Sequence, residues 1–311
     1  MRQGFLAYNP ASGRFPSGIL AERAADLFRK HGWQLRVEKT LDSAHITCLA
    51  KQAANDGMDA FFIAGGDGSV NLAAAGLVGT ETALGVLPTG TSNVLAQEFG
   101  LPGLSWTRWL ALEESANRLA KAGARWIDIG LCNGKPFLLW AGIGLDAFIV
   151  HRIRQREHWV KNFAVAQYLT TTLASANIWP GFNIKITINE NEITGHFLVA
   201  VVSNIRLYAG GIARLSPEAR LDDGVMELFL FKGESLRDTV QHIWNLYTGH
   251  HLKSDQVLHY EFQSLTLESD SKMFVQIDGD PVDGSAVLGI EVCSKALKVL
   301  VPDPIPHILF V

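Results

Sequence analysis

The fold follows from one stretch, Phe61-Phe62-Ile63-Ala64-Gly65-Gly66-Asp67-Gly68-Ser69-Val70-Asn71. Its apolar residues end at two glycines, and an acid, a third glycine and a serine come next. After Ser69 the apolar spacing becomes helical, so the stretch predicts a buried strand, a tight turn and the start of a helix. Glycine lets the backbone approach a ligand closely, and the N–H groups of a helix start attract anions. We interpret the stretch as a polyphosphate cradle with one carboxylate, Asp67, at its mouth.

Strand and helix patterns alternate four times over residues 1–123. Apolar strands without polar alternation favour a parallel sheet that is covered by helices on both faces. Two further predicted strands end, like the first, in turns rich in Gly, Ser, Thr and Asn, one beginning at Asn9 and the other at Pro88. In a parallel sheet, ligands bind beyond the carboxyl ends of the strands. Three polar turns therefore predict a polyphosphate site at one edge of this sheet.

Length and composition limit the class of protein. A chain of 311 residues fits two domains, and its net charge of −4 gives no electrostatic argument for nucleic acid. The three cysteines lie far apart, which favours reduced thiols, a cytosolic location and no zinc site. The longest apolar stretch, residues 137–150, contains Asp146 and two glycines, so it is not a predicted membrane span. A lipid would have to be reached from the cytosol.

The pattern changes after Gly123. Strands with period-two alternation dominate from residue 182 onward and predict an antiparallel sandwich. We therefore predict one domain over residues 1–124, joined by the tail 302–311, and a second domain over residues 125–301. Helices are predicted at 106–122, where Trp109 faces the core, at 146–175 and at 234–248. The apolar face of the last helix is expected to contain five residues: Leu236, Val240, Ile243, Trp244 and Tyr247.

Three acidic positions are candidates for chemistry. Near phosphates, Asp67 would act with Mg²⁺ or orient a hydroxyl nucleophile, and the alternative is a helix cap. Asp278 and Asp280 flank Gly279. On an extended chain they would point to the same side, one as general base and the other orienting substrate, and an Asp-Gly hairpin turn is the alternative. The loop that ends in Asp222-Asp223-Gly224 fits either a type I turn or a small site for a hard cation.

These motifs together resemble the diacylglycerol kinase catalytic domain. Over the whole chain the sequence is similar to the bacterial diacylglycerol and lipid kinases that are related to sphingosine kinases. The Gly-Gly-Asp-Gly core is shared with NAD kinases and phosphofructokinases. The resemblance is carried by Asn9-Pro10-x-Ser12-Gly13, Gly65-Gly66-Asp67-Gly68-Ser69-x-Asn71, Leu87-Pro88-x-Gly90-Thr91-x-Asn93, Asp128-Ile129-Gly130, Ala141 to Ala147, Ser203-Asn204, Ala209-Gly210-Gly211, Leu221-Asp222-Asp223-Gly224 and Ile277-Asp278-Gly279.

The resemblance implies an α/β + β architecture. Its first domain is an α/β parallel-sheet nucleotide domain like that of phosphofructokinases and NAD kinases, and its second is a C-terminal β-sandwich for the lipid substrate. It also implies that Mg²⁺ is bound by Asp223 with carbonyl oxygens of Arg220 and Val225. The implied catalytic acids are Asp278 and Asp280, the second of which is usually Glu in the family, together with Asp67. The implied ATP contacts are Asn9, Pro10, Ser12, Gly13, Thr40, Gly65, Gly66, Asp67, Gly68, Ser69, Asn71, Gly90, Thr91 and Asn93.

The function implied is ATP- and Mg²⁺-dependent phosphorylation of a lipid hydroxyl, as in phospholipid biosynthesis. Diacylglycerol, a related glycerolipid and a sphingoid base all stay open as the acceptor. One alternative is a kinase of a small polar acceptor such as NAD, and another is a lipid-binding regulator without turnover. The expected partners are the lipid and, transiently, the inner face of the membrane, with no nucleic acid. Whether the protein forms a homodimer, and which acid is the base, the sequence leaves open.

Overall fold

The computed structural model describes residues 1–10, 17–105, 107–154, 171–172, 174–176, 178–304 and 308–311. The chain divides into two compact units, Met1–Asp128 with Ser294–Val311, and Ile129–Cys293. The corresponding boundaries predicted from the sequence are 124/125 and 301/302, with the C-terminal tail in the first domain.

The first unit alternates strands and helices. Its elements are β1 (Arg2–Tyr8), α1 (Ser17–Lys30), β2 (Trp33–Lys39), α2 (Ser43–Asn55), β3 (Ala60–Gly65), α3 (Asp67–Leu77), β4 (Ala83–Pro88), α4 (Val94–Glu98) and α5 (Ala111–Ala120), and β5 (Gly123–Cys132) begins in it.

The second unit is dominated by strands. The remaining elements are β6 (Lys135–Phe137), β7 (Trp140–Gly144), α6 (Leu145–Arg154), β8 (Phe182–Ile188), β9 (Asn191–Ser203), β10 (Leu207–Tyr208), β11 (Ala213–Arg214), β12 (Met226–Lys232), α7 (Leu236–Thr248), β13 (Val257–Phe262), β14 (Ser264–Glu268), β15 (Val275–Ile277), β16 (Asp280–Val282) and β17 (Val287–Val301), with 3-10 turns at Ala209–Gly211 and His251–Lys253.

The first unit contains the predicted parallel sheet, in the order β2-β1-β3-β4. Tyr8 pairs with Lys39 on one side and with Ala64 on the other, and Gly65 pairs with Pro88. The carboxyl ends of β1, β3 and β4 are therefore level, and the turns that follow them meet at one edge. This confirms the predicted convergence of the three polar turns.

The predicted helix at 106–122 is wrong in its first turn. Helix α5 begins only at Ala111, and Trp109 is 58% exposed rather than in the core. Ser105 and Arg108 form a small local bridge, in which the Arg108 N–H donates to the Ser105 carbonyl and hydroxyl oxygens at 3.1 Å each. A serine that hydrogen-bonds nearby backbone offers the chain an alternative to helix, which explains the late start. Trp106 lies outside the described residues.

The second unit contains an antiparallel sheet in the order β16-β15-β7-β9-β8-β14-β17, and β12 pairs with both β9 and β13. Its strands enclose a core of side chains such as Phe197, Leu228 and Leu267, all 1% exposed or less. The apolar alternation predicts one strand over 257–267, which is two strands in the structure, β13 and β14. It also predicts separate strands over 286–292 and 296–301, which are parts of the single strand β17. The helix predicted over 146–175 is present as α6, and residues 155–170 lie outside the described residues.

Helix α7 turns most of its predicted apolar face away from the unit. Its buried residues are Thr239 and His242, and the ring of His242 donates a hydrogen bond to the carbonyl oxygen of Lys232 at 2.7 Å. The ring also packs edge-on against Phe231, with 5.2 Å between the ring centroids. Exposed on the other face are Leu236, Val240, Trp244 and Tyr247. Periodicity identifies the apolar face of a helix but does not decide whether that face is covered.

None of the helices that the structure describes is both long and apolar enough to cross a membrane.

Candidate active site

Hydrogen bonds join the first two turns at the sheet edge of the first unit. The Asn9 backbone N–H donates to the Ala64 carbonyl oxygen at 3.0 Å, and the Asn9 side-chain amide donates to the Ser69 hydroxyl oxygen, also at 3.0 Å. Thr40, which is buried, donates its N–H and its hydroxyl to the carbonyl oxygen of Tyr8 at 3.0 and 3.2 Å. Asn9, Thr40 and Ser69 therefore fix the geometry of this edge.

The third turn packs backbone to backbone against the second. A Cβ atom on Gly90 would collide with the Cα atom of Gly66, so a larger residue at Gly90 would push the turns apart. Asn93 has a φ of 53° and closes the turn with both amide atoms, accepting from the Gly90 N–H at 3.0 Å and donating to the Gly90 carbonyl oxygen at 2.8 Å. The side chain of Thr91, at the tip of the turn, is exposed.

Asp67 connects these two turns through its carboxylate. It is the first residue of α3, whose N-cap is Gly66, and its Oδ1 accepts a hydrogen bond from the Val94 N–H at 2.6 Å. Asp67 therefore binds the start of the next helix, α4. Burial raises the pKa of this half-buried carboxyl above its ordinary value of 3.8, against the opposing effect of N–H donors from Val94 and Asn93.

We expect Asp67→Asn to lose at least about 10²-fold in turnover without losing stability. The unfolded chain releases the Asp67 proton near pH 3.8, whereas the folded chain releases it only at higher pH. The carboxylate is therefore unfavourable to folding at neutral pH, and the penalty grows as pH rises through the folded pKa. Asparagine keeps an oxygen acceptor for Val94 and removes the charge. Urea unfolding at pH 4 to 8 beside an activity assay tests this, and a fully active variant would contradict it.

Two features of the cradle suit a polar ligand. A Cβ atom placed on Gly68, which is exposed, would meet no atom of the described residues within 4 Å. Both amide atoms of Asn71 are buried and have no hydrogen-bond partner in the part of the chain that the structure describes. A buried amide without partners is unfavourable, so Asn71 suits a polar ligand at this turn. Pro10 is exposed beside the cradle, and Ser12 and Gly13 lie outside the described residues.

In the second unit, Asp278 holds the backbone of the segment before β7. Its Oδ2 accepts from the Leu138 N–H at 2.7 Å, and its Oδ1 accepts from the N–H groups of Leu139 and Trp140 at 2.8 and 3.0 Å. These three hydrogen bonds tie both carboxylate oxygens to the backbone of residues 138–140. The contacts of Asp278 are thus those of a residue that organises the site.

The turn at Asp278 and Gly279 is a hairpin turn and is not extended. Both residues have positive φ, 51° and 85°, and Ile277 pairs with Asp280 across the turn. The expectation that an extended chain aims Asp278 and Asp280 to the same side is therefore wrong, and the alternative of an Asp-Gly hairpin is confirmed. The two acids on this turn differ in their exposure to solvent. Asp278 is half-buried, and Asp280 is exposed at the start of β16.

A buried polar network supports this hairpin, and sequence reasoning assigned it no role. The amide oxygen of Gln276, which is 1% exposed, accepts from the Gly279 N–H at 2.7 Å, and its amide N–H donates to the Asp146 carboxylate at 2.7 Å. The side-chain amide of Asn204 donates to the Leu138 carbonyl oxygen at 2.9 Å, opposite the N–H groups that Asp278 binds. The signal of this network in the sequence is a polar residue, Gln276, inside the apolar pattern of a strand.

The loop proposed for a cation offers oxygen donors. Asp223 is exposed, its Oδ1 accepts from the Val225 N–H at 3.2 Å, and Gly224 between them has a φ of 79°. Arg220 is exposed on the same loop. A carboxylate with backbone carbonyl groups is a donor set that suits Mg²⁺, which keeps several of its own waters. The loop belongs to the second unit, as do Asp278 and Asp280, whereas Asp67 belongs to the first.

Comparison with known proteins agrees with this division. Residues 3–132 match the diacylglycerol kinase catalytic domain, and residues 141–301 match the YegS C-terminal NAD kinase beta sandwich-like domain. A protein of Bacillus subtilis (strain 168) named diacylglycerol kinase is 25% identical over 285 residues, which cover 90% of each chain. A protein of Pseudomonas aeruginosa (strain UCBPP-PA14) named "Probable lipid kinase YegS-like" is 28% identical over 280 residues, 89% of this chain and 88% of its own.

A solved structure shares the fold. The crystal structure of a diacylglycerol kinase from Bacillus anthracis str. Sterne matches with a TM-score of 0.73 at 19% identity and covers 97% of both chains. The expected fold, a parallel α/β domain followed by a β-sandwich-like domain, is confirmed.

Proposed function

Because the chain belongs to the diacylglycerol kinase family of lipid kinases, we propose that it transfers the γ-phosphate of ATP to the hydroxyl group of diacylglycerol or a closely related lipid. The observation that supports the nucleotide half is the cradle itself, in which hydrogen bonds and close packing join three turns around the open space over Gly68. A triphosphate fits a surface of glycine backbone at the start of an 11-residue helix.

The proposed reaction is a direct transfer. The lipid hydroxyl oxygen attacks the γ-phosphorus atom of ATP, the bond from that phosphorus to the β-phosphate oxygen breaks, and ADP leaves. The hydroxyl proton passes to Asp280. An aspartate is a weak base for an alcohol, but the loose transition state of phosphoryl transfer allows the proton to leave late.

We assign the base to Asp280 from the difference between the two acids. Asp278 is half-buried and its oxygens accept three backbone N–H bonds, whereas Asp280 is exposed beside it. A base must reach the proton that it removes, and an exposed carboxylate can do so. Asp278 then has a positioning role, through the backbone of residues 138–140. The network of Gln276 and Asp146 holds the same hairpin from its other side.

Mg²⁺ fits two places in the proposal. Asp67 would lie beside a metal ion that accompanies the triphosphate, and Asp223 would hold a second ion with the carbonyl oxygens of Arg220 and Val225. When bound, Mg²⁺ neutralises phosphate charge and orders the loop that contains its ligands. The residues of the chain bind the phosphates, orient the acceptor and take its proton.

The variant Gly68→Ala distinguishes an effect on ATP binding from an effect on the stability of the fold. We expect a higher KM for ATP, because the added methyl group enters the space over the cradle, while the fold keeps its stability or gains up to about 1 kcal/mol from the helix propensity of alanine. Steady-state kinetics and thermal unfolding measure the two effects. Gly123→Ala is the matched control, since its Cβ also meets no atom within 4 Å but lies far along the chain from the cradle. An unchanged KM in Gly68→Ala would contradict the assigned location of the triphosphate.

The decisive test of the function is a product analysis. The protein is incubated with ATP, Mg²⁺ and a mixture of diacylglycerol, monoacylglycerol, ceramide and a sphingoid base, with NAD in a parallel reaction, and products are identified by mass spectrometry. Phosphatidic acid as the main product supports the proposal. If the main product were a phosphorylated sphingoid base or NADP, the acceptor would be the sphingoid base or NAD instead of diacylglycerol. If no arm gave a product, the result would favour a lipid-binding regulator.

A further inference from the structure

Helix α6 is bound at two points to the hairpin that β15 and β16 form. In the first turn of the helix, the Asp146 carboxylate accepts a hydrogen bond from the side-chain amide of Gln276 at 2.7 Å. Further along, the ring of His151 donates from Nε2 to the carbonyl oxygen of Val275 at 3.1 Å. The helix contacts both strands of the hairpin. These contacts fix the hairpin relative to α6.

The bond through Gln276 continues to the turn that contains the two acids. The amide oxygen of Gln276 accepts from the Gly279 N–H at 2.7 Å. Gly279 lies between Asp278 and Asp280 and has a φ of 85°. Because its N–H is held, the direction in which the chain leaves the turn is set, and Asp280 is the first residue of the strand that follows. Two hydrogen bonds in series therefore connect Asp146 to the backbone beside Asp280.

The space for this connection exists because residue 142 is a glycine. Gly142 of β7 pairs with Gln276 in the sheet. A Cβ atom on Gly142 would collide with Oδ2 of Asp146 and with the side-chain nitrogen of Gln276. The two polar groups thus occupy the place that a side chain at position 142 would take. A buried polar pair in so confined a space holds one geometry.

Burial separates this pair from the acids of the turn. Asp146 is 6% exposed and Gln276 is 1% exposed, whereas Asp280 is exposed. Gln276 also uses both ends of its amide within the fold. An effect of the pair on chemistry at Asp280 is therefore transmitted through the backbone of the hairpin.

We propose that Asp146 and Gln276 are positioning residues for the proton transfer, and that they hold Asp280 in the direction that helix α6 sets. The inference rests on the proposed function, since Asp280 is the proposed base. Neither residue touches the acceptor, so their loss lowers turnover and leaves the KM for ATP unchanged. A displacement of about 1 Å at a reacting group is enough to lower a rate about 10²-fold.

The test exchanges the two partners. Gln276→Glu places a second carboxylate against Asp146, and the like charges repel unless the two groups share a proton. At pH 9 we expect turnover on diacylglycerol in micelles to fall about 10²-fold, with the KM for ATP unchanged. Asp146→Asn keeps an oxygen that accepts from Gln276 and is expected to stay within about tenfold of the wild type.

The double variant Asp146→Asn/Gln276→Glu restores the hydrogen bond with donor and acceptor reversed. Its turnover is expected to return to within about tenfold of the wild type, which a merely additive loss of stability would not produce. Gln256→Glu is the matched control, because it makes the same chemical change at an exposed glutamine of the same unit and is expected to keep full activity. Thermal unfolding verifies that each variant is folded. Gln276→Met, which removes both hydrogen bonds without a charge, replaces Gln276→Glu if that variant is not.

A second measurement does not need activity. Hydrogen–deuterium exchange of residues 276–281 is expected to be faster in Gln276→Glu and to return to the wild-type rate in the double variant. Wild-type turnover in a folded Gln276→Glu, or a double variant without rescue, overturns the proposal. A folded but inactive Asp146→Asn also overturns it, because the charge of Asp146 would then act directly. If the wild type phosphorylates no lipid while exchange follows the expected pattern, the proposed function is rejected and the control of the hairpin by Asp146 and Gln276 stands.

Discussion

Asp280→Ala is expected to lower turnover on the lipid by about 10²–10⁴-fold, the usual contribution of a general base. The carboxylate is exposed at the start of β16, and substitutions of exposed residues usually change stability little, so the midpoint of urea unfolding should stay close to that of the wild type. KM for ATP is expected to change little, because the nucleotide contacts are assigned to the cradle. Steady-state kinetics with diacylglycerol in micelles, beside an unfolding curve, measures all three quantities.

Two variants control this experiment. Asp283→Ala removes another exposed carboxylate three residues further on and is expected to keep full activity. Asp280→Glu restores the residue that is usual in the family and is expected to stay within about tenfold of the wild type, since the carboxylate is retained. If Asp280→Ala kept the wild-type turnover, the general base would be Asp278, or the reaction would need no general base.

Asp278→Ala is expected to destabilise the fold by at least about 3 kcal/mol. The change leaves three N–H groups of residues 138–140 without their acceptor, and Leu138 and Leu139 are only 2% and 1% exposed. Alanine is also less tolerant of the positive φ, 51°, at this position. Urea unfolding measures the free energy, and turnover is expected to fall with it because the hairpin loses its anchor.

Asp278→Asn distinguishes positioning from proton transfer. Its amide keeps one oxygen acceptor, so we expect a smaller loss of stability than in Asp278→Ala. The folded fraction of the variant is expected to stay active. If Asp278→Asn were as stable as the wild type yet without any turnover, Asp278 would be the base. Together with the Asp280 variants this decides between the two acids.

The nucleotide half of the site could be predicted from sequence because its signals are local. An apolar strand, a glycine-rich turn and a helix start follow one another within Phe61–Asn71, and the same order recurs after Tyr8 and Leu87. Parallel strands bring their carboxyl ends to one edge, so three local patterns suffice to place three turns together. The contact from Asp67 to Val94 was not predictable, since it joins residues 27 apart whose turns meet only by packing.

The acceptor half depended on contacts that no spacing encodes. The pair of acids two residues apart suggested an extended chain, whereas the two positive φ values make a hairpin that separates them. The partners of Asp278 lie 138 to 140 residues earlier in the chain. Nothing in the sequence Ile277-Asp278-Gly279 shows that three backbone N–H groups donate to Asp278. The different roles that we propose for the two acids therefore follow only from the fold.

Helix α7 shows the same limit. Its apolar period was correctly identified as helical, but the period did not show whether the face is covered, and Trp244 and Tyr247 are exposed. By itself the sequence determined the architecture and the three turns that we propose as the phosphate cradle, because periodicity and turn chemistry act over a few residues. Only the tertiary structure decided which acid is buried and which helix face stays open, because burial depends on what distant segments cover.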